Sequence, residues 1–69
     1  MAKIRLDEDN HKMHKNRMTL KTIFGDVSVP LNDVQILPGG IIEVPDWTFY
    51  SARLNPCQMV SGFIKEETA

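Results

Sequence analysis

Apolar and polar residues alternate through most of the chain, and the alternation breaks at glycine, proline and Asn/Asp pairs. A period of two puts every second side chain on one face, which is the pattern of half-buried strands. The strongest such segment is Thr19 to Leu31. Two alternating runs, Thr19 to Phe24 and Val27 to Leu31, flank Gly25-Asp26. A two-residue loop with glycine first suits a type II′ turn, because glycine accepts positive φ without a steric penalty. Folded about that turn, Phe24 faces Val27, Thr22 faces Val29 and Leu20 faces Leu31, all on one side. Pro30 marks an edge or an end, since it has no amide hydrogen for a ladder.

Asn32-Asp33 is expected to form a second turn. Val34 to Leu37 and Ile41 to Val44 then flank Pro38-Gly39-Gly40, and a three-residue loop with two glycines suits a bulged hairpin. Ile41 and Ile42 are adjacent, so one of them leaves strict alternation. Either both faces are covered there, or one apolar side chain is offered to a partner. Pro45 ends the strand, and Asp46 is placed to cap a short helix over Asp46 to Leu54, with Trp47, Tyr50 and Leu54 on one face. Asn55-Pro56 stops that helix and starts a second turn with Pro56 in its first position. Met59 and Val60 are expected to point inward, Gly62 to close the turn with positive φ, and Phe63-Ile64-Lys65 to form a last strand before a charged tail. Residues 1–18 carry too few apolar residues to bury a face. Lys3 to Leu6 alternates briefly and Asp7 to Asn10 breaks it. This segment is read as a polar, basic arm, extended or loosely helical, that orders on contact. The expected architecture is mainly β: two hairpins in a meander or partly closed small barrel, one or two short helices, an N-terminal arm over 1–18 and a β-rich domain over 19–67.

With 69 residues the chain makes one domain and buries about 60% of its unfolded surface, so neighbouring subunits are expected to contribute to its stability. A single cysteine excludes an internal disulfide and fits a reducing compartment. No apolar run reaches the length of a membrane span, and the first residues lack the apolar centre of a signal peptide. The formal net charge of −1 hides an asymmetry. Residues 1–21 hold six basic and three acidic side chains, and residues 22–69 hold two and six. Such a dipole suits head-to-body association of copies, or simply two solvated surfaces.

Little in the chain suggests catalysis. His11 and His14 would share a face if helical, but Lys12 and Lys15 beside them repel a cation. Cys57 is expected to be a buried or half-buried small apolar residue rather than a nucleophile. Lys12, Lys15, Arg17 and Lys21 could straddle a phosphate backbone, although no aromatic lies among them for base stacking. Trp47, Phe49 and Tyr50 cannot all face inward from one short helix, and exposed aromatics are favoured interface anchors. The expected partner-binding residues are Lys12, Lys15, Arg17, Ile42, Trp47, Phe49 and Tyr50. No cofactor, metal or small-molecule substrate is expected.

The block Pro38-Gly39-Gly40-Ile41-Ile42-Glu43-Val44-Pro45-Asp46, followed by a short helix and by Gly62-Phe63-Ile64-Lys65-Glu66-Glu67, resembles short proteins of tailed bacteriophages. Those read as strand, glycine turn, a strand ending in Val-Pro-Asp or Val-Pro-Glu, helix, and a Gly-apolar-apolar close. The resemblance spans about residues 34–67. Asn55-Pro56 and the basic first segment depart from the pattern. What it implies is a non-enzymatic structural or assembly protein of the virion, made in the bacterial cytoplasm: a capsid decoration, head–tail connector or tail component. Its partners would be a larger virion protein or copies of itself. The alternative is a small nucleic-acid-binding or regulatory protein using the basic segment.

Overall fold

The structure is a computed structural model that describes residues 1–65. It is mainly β: seven strands in two antiparallel sheets, with one short helix and no closed barrel. The strands are β1 (Ala2–Arg5), β2 (His11–His14), β3 (Arg17–Thr22), β4 (Gly25–Pro30), β5 (Gln35–Leu37), β6 (Ile41–Val44) and β7 (Phe63–Ile64). Helix α1 spans Trp47–Tyr50, and single 3₁₀ turns cover Leu31–Asp33 and Pro56–Gln58. One sheet has the order β5-β6-β1-β7 and the other β2-β3-β4. Their inner faces share one core. Ala2, Ile4, Ile42 and Val44 come from the first sheet and Met18, Leu20, Val27 and Val29 from the second, with Phe49 and Met59 added from the connecting segments.

The first 18 residues are extended but do not form an arm. β1 lies in the middle of its sheet, with Ile4 opposite Ile42 on one side and Phe63 on the other. Ile4 is fully buried, which explains why a segment with so few apolar residues is held: two suffice when they point into the core. β2 pairs with β3 from His11↔Leu20 to His14↔Arg17, across a tight turn in which Lys15 takes φ +55°. The Cα radius of gyration, 11.1 Å, equals the about 11 Å of one compact body of this length.

The β3–β4 hairpin forms, but its turn is Ile23-Phe24, two residues before the expected Gly25-Asp26. The pairs are Thr22↔Gly25, Leu20↔Val27 and Met18↔Val29. Thr22 selects this register. Its Oγ1 donates to the Gly25 carbonyl (2.6 Å) and accepts the Phe24 amide (3.2 Å), and Gly25 follows the turn at φ +136°. A two-residue shift preserves the face of every side chain, so Leu20, Thr22, Val27 and Val29 are still buried together. Phe24 sits at the tip and is exposed. The β5–β6 hairpin is as expected, with Leu37↔Ile41 and Ile36↔Ile42 flanking Pro38-Gly39-Gly40. Pro30 ends β4 on the edge of its sheet.

The helix is shorter than expected, and of its three aromatics it turns one inward. Phe49, not Trp47 and Tyr50, fills the core. Asp46 makes no side-chain cap; its carboxylate lies 3.5 Å from the Met1 ammonium instead. The end of the helical segment is a Schellman closure. Leu54 N–H donates to the Phe49 carbonyl and Arg53 N–H to that of Tyr50, both at 2.9 Å, with Arg53 at φ +60°. Asn55-Pro56 then opens the 3₁₀ turn as expected, and the Asn55 amide donates to Gln58 Oε1 at 2.8 Å. Met59 is buried, but Val60 is exposed rather than inward.

Candidate functional site

Three features distinguish the surface: an aromatic helix face, a basic sheet face and a polar knot that ties the ends of the chain together. The aromatic face follows from the geometry of α1. Residues i and i+3 lie on one side of a helix. Because Phe49 takes the inward position, Trp47 and Tyr50 share the outward side, and they are 49% and 56% exposed. Tyr50 also rims a groove of about 260 Å³ formed with Met1, Pro56, Phe63 and Ile64. Lys3 and Asp46 supply its charged margin. The result is a mixed apolar and polar groove beside two exposed aromatics, a composition compatible with a protein contact.

Of the expected partner-binding residues, this face keeps Trp47 and Tyr50. Ile42 and Phe49 are corrected: at 1% and 0% exposure they are core residues and cannot touch a partner in the folded chain. Ile42 is covered because it sits on the inner face between β1 and β5, while Ile41 takes the outer one. Its row continues to Ile36 on the open edge strand β5, which the core does not reach, so Ile36 is 81% exposed. No sequence signal separates Ile36 from Ile42, since only their place in the strand order differs.

Lys12, Lys15 and Arg17 are exposed on the β2–β3 hairpin rather than on an arm. Directly paired residues project to the same side of a sheet. The buried row Met18, Leu20 and Thr22 therefore places Arg17, Thr19 and Lys21 outward, and the pairing places Lys12 and His14 beside them. Arg17 Nε donates to Ser28 Oγ at 2.8 Å across the same face. His11 falls on the opposite face from His14, because i and i+3 diverge in a strand. No group of three or more His, Cys, Asp or Glu side chains among the described residues is arranged to hold a metal ion. Cys57 is exposed, not buried as expected: it is the middle residue of the 3₁₀ turn Pro56–Gln58.

The knot is centred on Asn10, whose side chain is fully buried. Its Nδ2 donates to the Arg5 carbonyl (2.8 Å) and the Ser61 carbonyl (3.3 Å), and its Oδ1 accepts the Asp7 amide (3.0 Å). Asp7 completes the link, accepting from Ser61 Oγ (2.6 Å) and the Asp9 amide (2.7 Å). The Ser61 hydroxyl, followed by the Asp9 amide, holds the Asp7 carboxyl below its ordinary value. Gly62 closes the knot at φ +82°, and its carbonyl accepts the Arg5 amide at 2.8 Å. A Cβ there would run into the Arg5 carbonyl oxygen and Asn10 Nδ2. Asp7 to Asn10 reads in sequence only as a strand break, although an Asx turn was the available signal.

No helix among the described residues is long and apolar enough to cross a membrane. Comparison with protein families, characterised proteins and solved structures found no match.

Proposed function

We propose that this protein is a non-enzymatic structural or assembly subunit that works by docking its aromatic helix face onto a larger protein or another copy of itself. The observation that carries the reading is the outward pair Trp47 and Tyr50, both about half exposed while Phe49 beside them is buried. Exposed Trp and Tyr are among the commonest anchors of protein interfaces. Tyr50 sits at the mouth of the groove, so a partner side chain entering it would bury against the ring. The resemblance of residues 34–67 to tailed-phage proteins supports a place in a virion, as a head decoration, head–tail joining or tail component.

The test is incorporation. Trp47→Ala and Tyr50→Ala leave the core untouched and are expected to keep the fold, but to move the chain from the sedimenting particle fraction to the soluble one. Incorporation of both variants at the wild-type level would remove the proposal. So would a wild-type chain found only as a free monomer.

A further inference from the structure

We infer that the outer face of the β2-β3-β4 sheet is a second binding surface, one that takes the phosphate backbone of a nucleic acid without reading its sequence. Its occupant is argued from the composition of the face. The cross-strand rows that point outward are Lys12–Thr19–Ser28, His14–Arg17–Pro30 and Lys21–Asp26, with Lys15 at the adjoining turn. Four cationic side chains thus stand against one carboxylate. They belong to a chain whose net charge is −1, so the positive field is confined to this sheet.

Along β3, Arg17 and Lys21 are about 14 Å apart at about 3.4 Å per residue, and Lys12 stands beside Thr19 between them. The cations therefore form a line rather than a point. The acidic loop Asp7, Glu8 and Asp9 adjoins the Lys21 end, since the Lys21 amide donates to the Asn10 carbonyl. The field is accordingly strongest at the Lys12, Lys15 and Arg17 end.

An acidic protein surface is the rival occupant, and the face argues against it. Protein interfaces centre on aromatic and apolar anchors and are depleted in lysine. Here the outward positions are lysine, arginine, histidine, one carboxylate, Asp26, and two hydroxyls, Thr19 and Ser28, with Pro30 the only apolar residue. Lysine and arginine with serine and threonine hydroxyls are the groups that contact phosphate oxygens. No aromatic side chain stands among them, so base stacking is missing and the contact is to the backbone alone.

The experiment is a fluorescence anisotropy titration of the full chain against labelled duplex DNA of random sequence, over a range of salt. With four phosphate contacts, affinity is expected to fall roughly 100-fold between about 50 and 200 mM salt. Changing the DNA sequence is expected to leave affinity within a few-fold. The variant Lys12→Ala/Arg17→Ala, at two exposed positions, should lower affinity and flatten the logarithmic salt slope by about 2. Lys65→Ala, which removes a charge off the face, should leave both unchanged. Thermal melts of each variant separate loss of binding from loss of fold. The inference is overturned by no binding at low salt, by equal losses for Lys65→Ala and the double variant, by strong sequence preference, or by polyglutamate binding more tightly than the duplex. Assembly of the wild-type chain into particles is read separately and does not depend on this surface.

Discussion

The two sheets are built in opposite ways. The β2-β3-β4 sheet is a continuous meander of neighbouring strands, closed by two tight turns. The β5-β6-β1-β7 sheet gathers its strands from both halves of the chain, and one of its two central strands is the first one. Local pairing costs little loop entropy, whereas pairing residue 4 with residues 42 and 63 must be held by specific contacts. Those contacts are the buried Ile4 row and the Asn10 knot. The difference teaches that the polar opening segment is a structural keystone, and that the tolerant part of the molecule is the basic hairpin.

The comparison can be broken most forcefully at β1. Removing residues 1–6 takes Ala2 and Ile4 from the core, strips β6 of one of its two neighbours and leaves β7 unpaired, so circular dichroism is expected to show loss of the native fold. Lengthening the Lys15-Asn16 turn by a few residues should cost under about 1 kcal/mol in a denaturant melt. Equal sensitivity at the two places would erase the distinction.

Next come the two residues of the knot. Gly62→Ala must find room against backbone in a conformation that favours glycine, and is expected to cost about 3–5 kcal/mol. Asn10→Ala leaves the Asp7 amide and two carbonyls without their partner, a loss of about 3 kcal/mol. Denaturant midpoints measure both.

Two smaller changes should stabilise the connection that follows β6. Thr48 is buried with no hydrogen-bond partner for its hydroxyl, so the isosteric Thr48→Val is expected to raise stability by about 1 kcal/mol. Arg53→Gly relieves the left-handed backbone at the helix end and should add about 0.5–1 kcal/mol, which a thermal melt can read.

The smallest expected effect is a titration. Asp7 has a folded-state value below its unfolded one, so its contribution to stability is present above the ordinary carboxylate range and is lost as pH falls through the depressed value. Ser61→Ala removes the largest cause of that depression. The Asp7 carboxyl should then titrate at higher pH by carbon-detected NMR, with the acid limb of stability moving the same way.

Much of the chain from Val34 onward was legible because turn chemistry and alternation agree over a few residues. Pro38-Gly39-Gly40 located the β5–β6 hairpin, Pro45 ended β6, and Asn55-Pro56 opened the 3₁₀ turn, each through a local backbone restriction. The Gly25 turn slipped by two because Thr22 competes with a glycine-first loop, and alternation cannot detect an even shift. β1 was read as an arm because its partners lie 40 and 60 residues away, and nothing near Ile4 announces them. The inward side of the helix was not legible for a similar reason. Spacing groups Trp47 with Tyr50, but only the position of the core decides which side of that helix is inside. Of the residues expected to bind a partner, the exposed basic ones and two aromatics stand on the surface, while Ile42 and Phe49 went to the core that sequence alone did not locate.

Amide hydrogen exchange at Ile4 is the most direct probe of the keystone strand. Paired on both edges and fully buried, its segment should exchange as slowly as Leu20 and Val29 in the meander. Exchange of Lys3 to Arg5 at the rate of an unstructured peptide, with the meander still protected, would contradict it.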